Sequence, residues 1–291
     1  MAEKAGDVSA VNCKEGALTS KHGHQLFCKY WKSKANDKPK HLIFISHGFG
    51  EHCQRYNDFA MTLVQNNNFV FSHDHVGHGK SEGDRVHVTN FSIYVDDVIN
   101  HIEMVKKEHP GIPCFMFGHS MGGLITILTT LRAPDLFSGI ILSGPGIVPN
   151  KEAATPFKIF LAKVTATLLP HYEIATISSE VICRNKNVVK NYEEDPLVWH
   201  GGIKAKWCCC IMAAMAEIRK RFKEIKVPYL LLHGSADQIC SIEGSEMMHA
   251  NTSSEDKTFK IYESCYHEVI WEIDGQGEQA VSDIVDWINK R

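Results

Sequence analysis

Cysteine pairs at metal-knuckle spacing are missing from this 291-residue chain, although it carries ten cysteines. Cys208, Cys209 and Cys210 are consecutive and the others are scattered, which argues against a zinc-finger module. Also missing is an apolar run of the ~20 residues that a bilayer-spanning helix needs. The first twenty residues are polar and charged, without the apolar core of a signal peptide. With no export route, the expectation is a cytoplasmic protein with free thiols. Charge of one sign is lacking too: 31 basic against 34 acidic side chains leave a formal net charge of −3. No like-charge run stands out, so a nucleic-acid partner is not expected. Internal repeats and low-complexity stretches are absent. What is present is an ordinary apolar fraction of 44%, enough for the core of one large α/β domain. Histidine is abundant at 17 residues, so a single one carries little information.

Apolar runs and helical spacing alternate along the chain. His24–Trp31 reads as a strand, Asp37–Lys40 as a turn and His41–Ser46 (HLIFIS) as a buried strand. Gln54–Asn66 has helical spacing, Phe69–Ser72 reads as a strand, and Phe91–His109 reads as a helix stopped by Pro110-Gly111. Pro113–Phe117, Met121–Arg132 and Gly139–Ser143 continue as strand, helix and strand. Helices of this length between strands imply right-handed crossovers and a mostly parallel sheet. The rhythm breaks between about Pro149 and Lys226, where helices are expected over Ala153–Leu169, Ser179–Tyr192 and Gly201–Lys223, with no strand. It resumes with Val227–His233, a helix near Glu243–Ala250, a strand at Thr258–Tyr262 and a helix over Gln276–Asn289. The expected organisation is an α/β core, 1–148 and 227–291, interrupted by a helical insertion, 149–226.

Gly118-His119-Ser120-Met121-Gly122 matches G-x-S-x-G, with a strand before it and a helix after it, as a nucleophile elbow requires. Such a turn strains the serine backbone, and Gly118 and Gly122 lack side chains that would collide there. A serine hydroxyl needs a base, and the α/β-hydrolase order is Ser, then an acid, then His, each after a late strand. Asp237 follows the strand ending at His233, and His267 follows the Thr258–Tyr262 strand. Asp237 would hold the tautomer of His267, and His267 would deprotonate Ser120. Activity is then expected to fall as His267 is protonated, near or below about 6.5. Glu255, Asp256, Glu272 and Asp274 are the competing acids, and His233 and His249 the competing histidines. None of them satisfies order and placement together.

An acyl-transfer intermediate needs two N–H donors for its oxyanion. Met121 follows the nucleophile, and Phe49 lies in the glycine loop His47–Gly50 after an earlier strand; their backbone N–H groups are the candidates. The His73-Asp74-His75-Val76-Gly77-His78 loop invites a metal reading, but it lacks a matching second ligand set. Asp74, Gly77 and Gly79 are read as shaping a tight loop, and neither metal nor cofactor is expected. Cys240 lies one helical turn beyond Asp237, close enough for its modification to impair activity.

The stretches SHGFGEH (46–52), HDHVGHGKSEG (73–83), FGHSMGG (117–123), HGSADQIC (233–240) and YHE (266–268) resemble the monoglyceride lipases. The similarity runs from about Leu26 to the C-terminus. It implies an α/β-hydrolase fold with a helical cap, hydrolysis of a monoacylglycerol to fatty acid and glycerol, and Ser120, Asp237 and His267 as the triad. It further implies Phe49 and Met121 as the oxyanion hole, and Glu51, Arg55, His119, Tyr192 and Cys240 near the bound substrate. The cap is implied to dock peripherally on membranes, which suits the apolar Phe157, Ile159, Phe160, Val164, Leu168 and Leu169 interspersed with Lys158 and Lys163. A helix packed on its own domain is the alternative. The resemblance also leaves room for a homodimer. Two positions depart from it: bulky Phe49 stands where the family carries Ala, and Ile270 stands where the vertebrate enzymes place a His that touches glycerol. A broader carboxylesterase or lysophospholipase, and a non-catalytic ligand-binding relative, are the competing readings.

Overall fold

The computed structural model describes residues 11–35, 38–150 and 156–291; in the helix that opens at Pro156, the description of side chains begins at Phe160. Asp37, at the head of the expected turn, lies outside the described residues, as do the first residues of the helix expected from Ala153 and the side chains of Phe157, Lys158 and Ile159.

Strands β1 (Val11–Thr19) and β2 (Gln25–Ser33) form an antiparallel hairpin. β3 (His41–Ser46) leads through a 3-10 turn into α1 (Asn57–Gln65), then β4 (Asn68–His73), α2 (Ser92–Glu108), β5 (Cys114–His119), α3 (Met121–Arg132) and β6 (Gly139–Ser143). The 149–226 segment contributes α4 (Pro156–Leu168), β7 (Glu173–Ala175), α5 (Lys186–Glu194), β8 (Ile203–Lys204) and α6 (Ala205–Arg221). The chain closes with β9 (Tyr229–Gly234), α7 (Ile242–Asn251), β10 (Lys257–Tyr262) and α8 (Gln276–Asn289). Eight strands make one sheet in the order β1-β2-β4-β3-β5-β6-β9-β10, parallel from β4 to β10.

Every residue of β3, β5, β6 and β9 is buried. These central strands are covered on both faces, so they read as continuous apolar runs and not as alternating ones. One face packs Leu42, Phe44, Met116 and Leu231 against Tyr94 and Val98 of α2, Leu124 of α3 and Trp207 of α6. The other packs Ile43, Ile45, Phe117 and Leu230 against Phe59 and Leu63 of α1 and Ile284 and Trp287 of α8.

Two expectations are corrected. β1 was not expected: its residues are mostly exposed and include Lys14 and Glu15, so no apolar alternation marks it. It is an edge strand, where charge keeps the open edge from pairing with other chains. The inserted segment is also not free of strands, because β7 and β8 form a short antiparallel pair. Its middle helix begins at Lys186, after a 3-10 turn at Ser179–Val181. Such brief pairs carry too few residues for a period-2 pattern to register.

The inserted segment meets the loops that follow β3 and β10. Trp199 N–H donates to the Gly50 carbonyl (2.7 Å), His52 Nε2 pairs with Asp195 Oδ2 (2.8 Å), and Glu268 N–H donates to the Ile182 carbonyl (2.8 Å).

Candidate active site

The chain leaves β5 at His119 and enters α3 at Met121, with Ser120 alone at the corner. Its backbone sits at φ 55°, ψ −117°, a region that non-glycine residues occupy only when their surroundings enforce it. Enforcement comes from three backbone bonds: Ser120 N–H donates to the Ser143 carbonyl (3.0 Å), and the Ser120 carbonyl accepts from Gly146 (2.9 Å) and Leu124 (3.2 Å). A Cβ on Gly122 would stand 2.0 Å from the Ser46 carbonyl oxygen, and one on Gly118 would stand 2.2 Å from Thr126 Oγ1. The corner therefore closes only with glycine at both positions.

The loops after β9 and β10 bring Asp237 and His267 together. His267 Nδ1 lies 2.7 Å from Asp237 Oδ2, with both side chains buried. The other Asp237 oxygen accepts the N–H groups of Ile239 (2.8 Å) and Cys240 (3.0 Å). His233 adds Nε2 at 3.2 Å from Asp237 Oδ2, while its Nδ1 is 2.8 Å from Ser245 Oγ. Burial alone would raise the Asp237 carboxyl, but His267 and His233 hold it well below the usual carboxylate range. Burial likewise works against a charged His267, and Asp237 overcomes it, so the imidazole is more basic than usual. A carboxylate bonded to Nδ1 fixes the tautomer that leaves Nε2 to accept a hydroxyl proton. Gly144, at φ 49°, lies where a side chain would come within 3.1 Å of His267 Nδ1 and 3.3 Å of Asp237 Oδ2.

Around this pair, His119 Nδ1 bonds the Ser143 carbonyl (3.0 Å), with its ring centroid 4.6 Å from that of His267. Burial, followed by the neighbouring His267, lowers the His119 pKa to about 3. Cys240 is buried; burial, then the Asp237 charge, pushes its thiol well above the ordinary range, and Ser120 beside it lowers it in part.

The loop after β3 is held from two sides. His47 Nδ1 bonds the Gly48 carbonyl (2.8 Å), and its Nε2 accepts the His75 N–H (2.9 Å). Gly48 N–H donates to Glu51 Oε1 (2.5 Å). Among the described residues the Phe49 N–H meets no protein acceptor, as suits a donor reserved for a ligand oxygen. The Phe49 ring packs on Trp207 of α6, with centroids 4.2 Å apart.

The histidine-rich loop serves this same frame. Asp74 accepts the N–H groups of Cys53 and Lys80 (2.8 Å each), Gly77 and Gly79 take positive φ, and His75 Nε2 bonds Ser46 Oγ (3.0 Å).

The residues expected at the polar end are occupied with one another. Arg55 Nη1 donates to Glu51 Oε2 (2.5 Å) and Glu268 Oε1 (2.7 Å), and Nη2 donates to Glu268 Oε2 (3.0 Å). Its guanidinium lies between the rings of Tyr192 (4.9 Å) and Trp271 (4.8 Å). Glu51 also accepts from Tyr56 (2.7 Å). Burial opposes its charge, yet Arg55 and its other neighbours hold it at about 2. Glu268 and His233 are the residues that sequence reasoning missed as parts of this frame. The signal for Glu268 was its place beside His267; for His233 it was a strand end four residues before Asp237. Ile270 is buried in the apolar cluster beside α8 and offers no polar contact.

The geometry has close parallels among known proteins. A family model described as serine aminopeptidase, S33, matches residues 37–274. The human monoglyceride lipase is 41% identical over 274 residues, covering 94% of this chain and 90% of that protein. The monoacylglycerol lipase of Mycolicibacterium smegmatis is 30% identical over 250 residues, covering 86% and 88%. The crystal structure of the Paleococcus ferrophilus monoacylglycerol lipase superposes with a TM-score of 0.80 at 31% identity, covering 90% of this chain and 97% of that one. An elbow serine, a buried carboxylate–imidazole pair and a shared sequence over nearly the whole chain place this protein in the monoglyceride lipase family of α/β-hydrolase serine ester hydrolases.

Proposed function

We propose that the protein hydrolyses monoacylglycerols to fatty acid and glycerol through an acyl-enzyme on Ser120. The observation that carries this reading is the buried 2.7 Å Asp237–His267 pair, whose imidazole centroid lies 4.6 Å from that of His119, the neighbour of a serine held in a strained elbow. His267 Nε2 takes the Ser120 proton as Oγ attacks the ester carbonyl carbon. The resulting oxyanion accepts from the N–H groups of Phe49 and Met121, and collapse expels glycerol, which takes the proton from His267. Water repeats the sequence in reverse and releases the fatty acid. The relatives' substrate supports the choice of ester. Residues 149–226 act as the cap. The exposed Phe160 (63%), Leu161, Val164, Leu168 (73%) and Leu169 of α4 and its end support contact with a lipid surface. Among the described residues no helix is long and apolar enough to cross a membrane.

A broader ester hydrolase is the second reading, favoured by apolar Ile270 and by an Arg55 already engaged by two carboxylates. Kinetics on monoacylglycerols, short-chain esters and lysophospholipids, with Ser120→Ala as the blank, separate the two. Monoacylglycerols are expected to give the highest kcat/KM, and a clear preference for another ester selects the second reading. A fluorophosphonate probe is expected to label Ser120, and folded protein without that adduct overturns both.

A further inference from the structure

Asp84, His87 and His171 each bring one ligand atom to within 4.8 Å of the others. Asp84 and His87 lie between β4 and α2, while His171 lies in the turn between α4 and β7, so the fold alone unites them. The two imidazoles stack with centroids 4.2 Å apart and planes 23° from parallel. His171 Nδ1 stands 3.4 Å from Asp84 Oδ2. His87 Nδ1 is buried and meets no hydrogen-bond partner among the described residues, a cost that a buried ring nitrogen ordinarily avoids. Lys204 Nζ lies on the other carboxylate oxygen, 4.0 Å from Asp84 Oδ1, and is itself tied to the Arg85 carbonyl (2.6 Å). Asp84 Oδ2 thus faces the histidines. The Asp84 and His171 side chains are each 55% exposed, which gives an ion a path from solvent.

Two imidazole nitrogens and one carboxylate oxygen suit a borderline ion of the zinc class, whereas magnesium and calcium prefer oxygen alone. Zinc bonds of about 2.0–2.1 Å call for the ligand atoms to draw in by roughly an ångström and for the stacked rings to turn so that both nitrogens aim at one point, movements open to the half-exposed Asp84 and His171 side chains against a fixed His87. We propose that Asp84, His87 and His171 form a site for a zinc-class divalent cation that clips the 149–226 segment to the core. His171 follows the end of α4 by three residues, so the ion would anchor the end of the helix that carries the exposed apolar face.

Calorimetric titration of Zn²⁺ into the full chain tests this, alongside His87→Ala, His171→Ala and the double variant, with circular dichroism to verify folding. One ion is expected to bind the parent protein, and either single variant should bind it about tenfold or more weakly, in the range known for damaged metal sites. Co²⁺ is expected to show visible d–d bands without sulfur charge-transfer absorption. Equal affinity in the parent and the double variant overturns the proposal. So does sulfur charge-transfer absorption that persists in the double variant, which would place the ion on the cysteines.

Discussion

His267, the proposed general base, is the residue through which pH is expected to act. A neutral imidazole of ordinary pKa would put the acid limb of activity near 6.5. Burial lowers that pKa, but the Asp237 carboxylate bonded to Nδ1 outweighs it. With His267 as the proposed base, the limb of kcat/KM should therefore lie above 6.5, not near or below it as the sequence alone suggested. Asp237→Asn removes the cause: the limb should move toward acid and turnover should fall by on the order of 10⁴-fold, as in the serine-protease template. A pH–rate profile of both proteins checks this, and a parent limb at or below 6.5 contradicts it.

At the scale of elements, one ion cluster joins the short helical turn Cys53–Tyr56 to the 3-10 turn Val269–Trp271. Arg55 belongs to the first, Glu268 directly precedes the second, and both side chains are buried. A buried guanidinium is tolerable only while its carboxylates stay in place. Glu268→Gln leaves Arg55 paired with Glu51 and keeps an amide oxygen to accept from it, so it should cost about 1.5–3 kcal/mol of folding stability, the scale of a hydrogen bond to a charged group and below that of a buried charge left unpaired. Urea unfolding measures it; a loss no larger than that of an exposed ion pair, about 0–1 kcal/mol, would show that the cluster contributes little. The same cluster holds Glu51, and through it Gly48, so the loop carrying Phe49 is positioned by elements far apart in the chain.

For the molecule as a whole, α4 and its end expose an apolar surface, proposed above to be where a lipid surface is met. Leu168→Glu combined with Leu169→Glu replaces two exposed leucines by charge without opening a core cavity. Hydrolysis of monoacylglycerol in anionic vesicles should fall several-fold, while hydrolysis of a water-soluble short-chain ester stays within about twofold. Equal losses on both substrates would instead place the two leucines in the catalytic framework.

The sequence by itself determined the sheet's central strands and the candidate nucleophile. Fully buried parallel strands must be unbroken apolar runs, and the elbow admits only glycine at 118 and 122. Chain order then singled out Asp237 and His267, because this fold builds its site at successive strand ends. Edge strand β1 stayed hidden, since an edge exposes most of its side chains and needs no apolar period. Only the tertiary structure decided what Arg55, Glu268, His233 and His171 touch. Apart from His233 with Asp237 and Arg55 with Glu51, each four residues apart, these contacts join residues that chain order alone does not bring together in space. Their charges and ring nitrogens acquire a role only when the fold buries them beside a partner, and no local pattern records which partner that is.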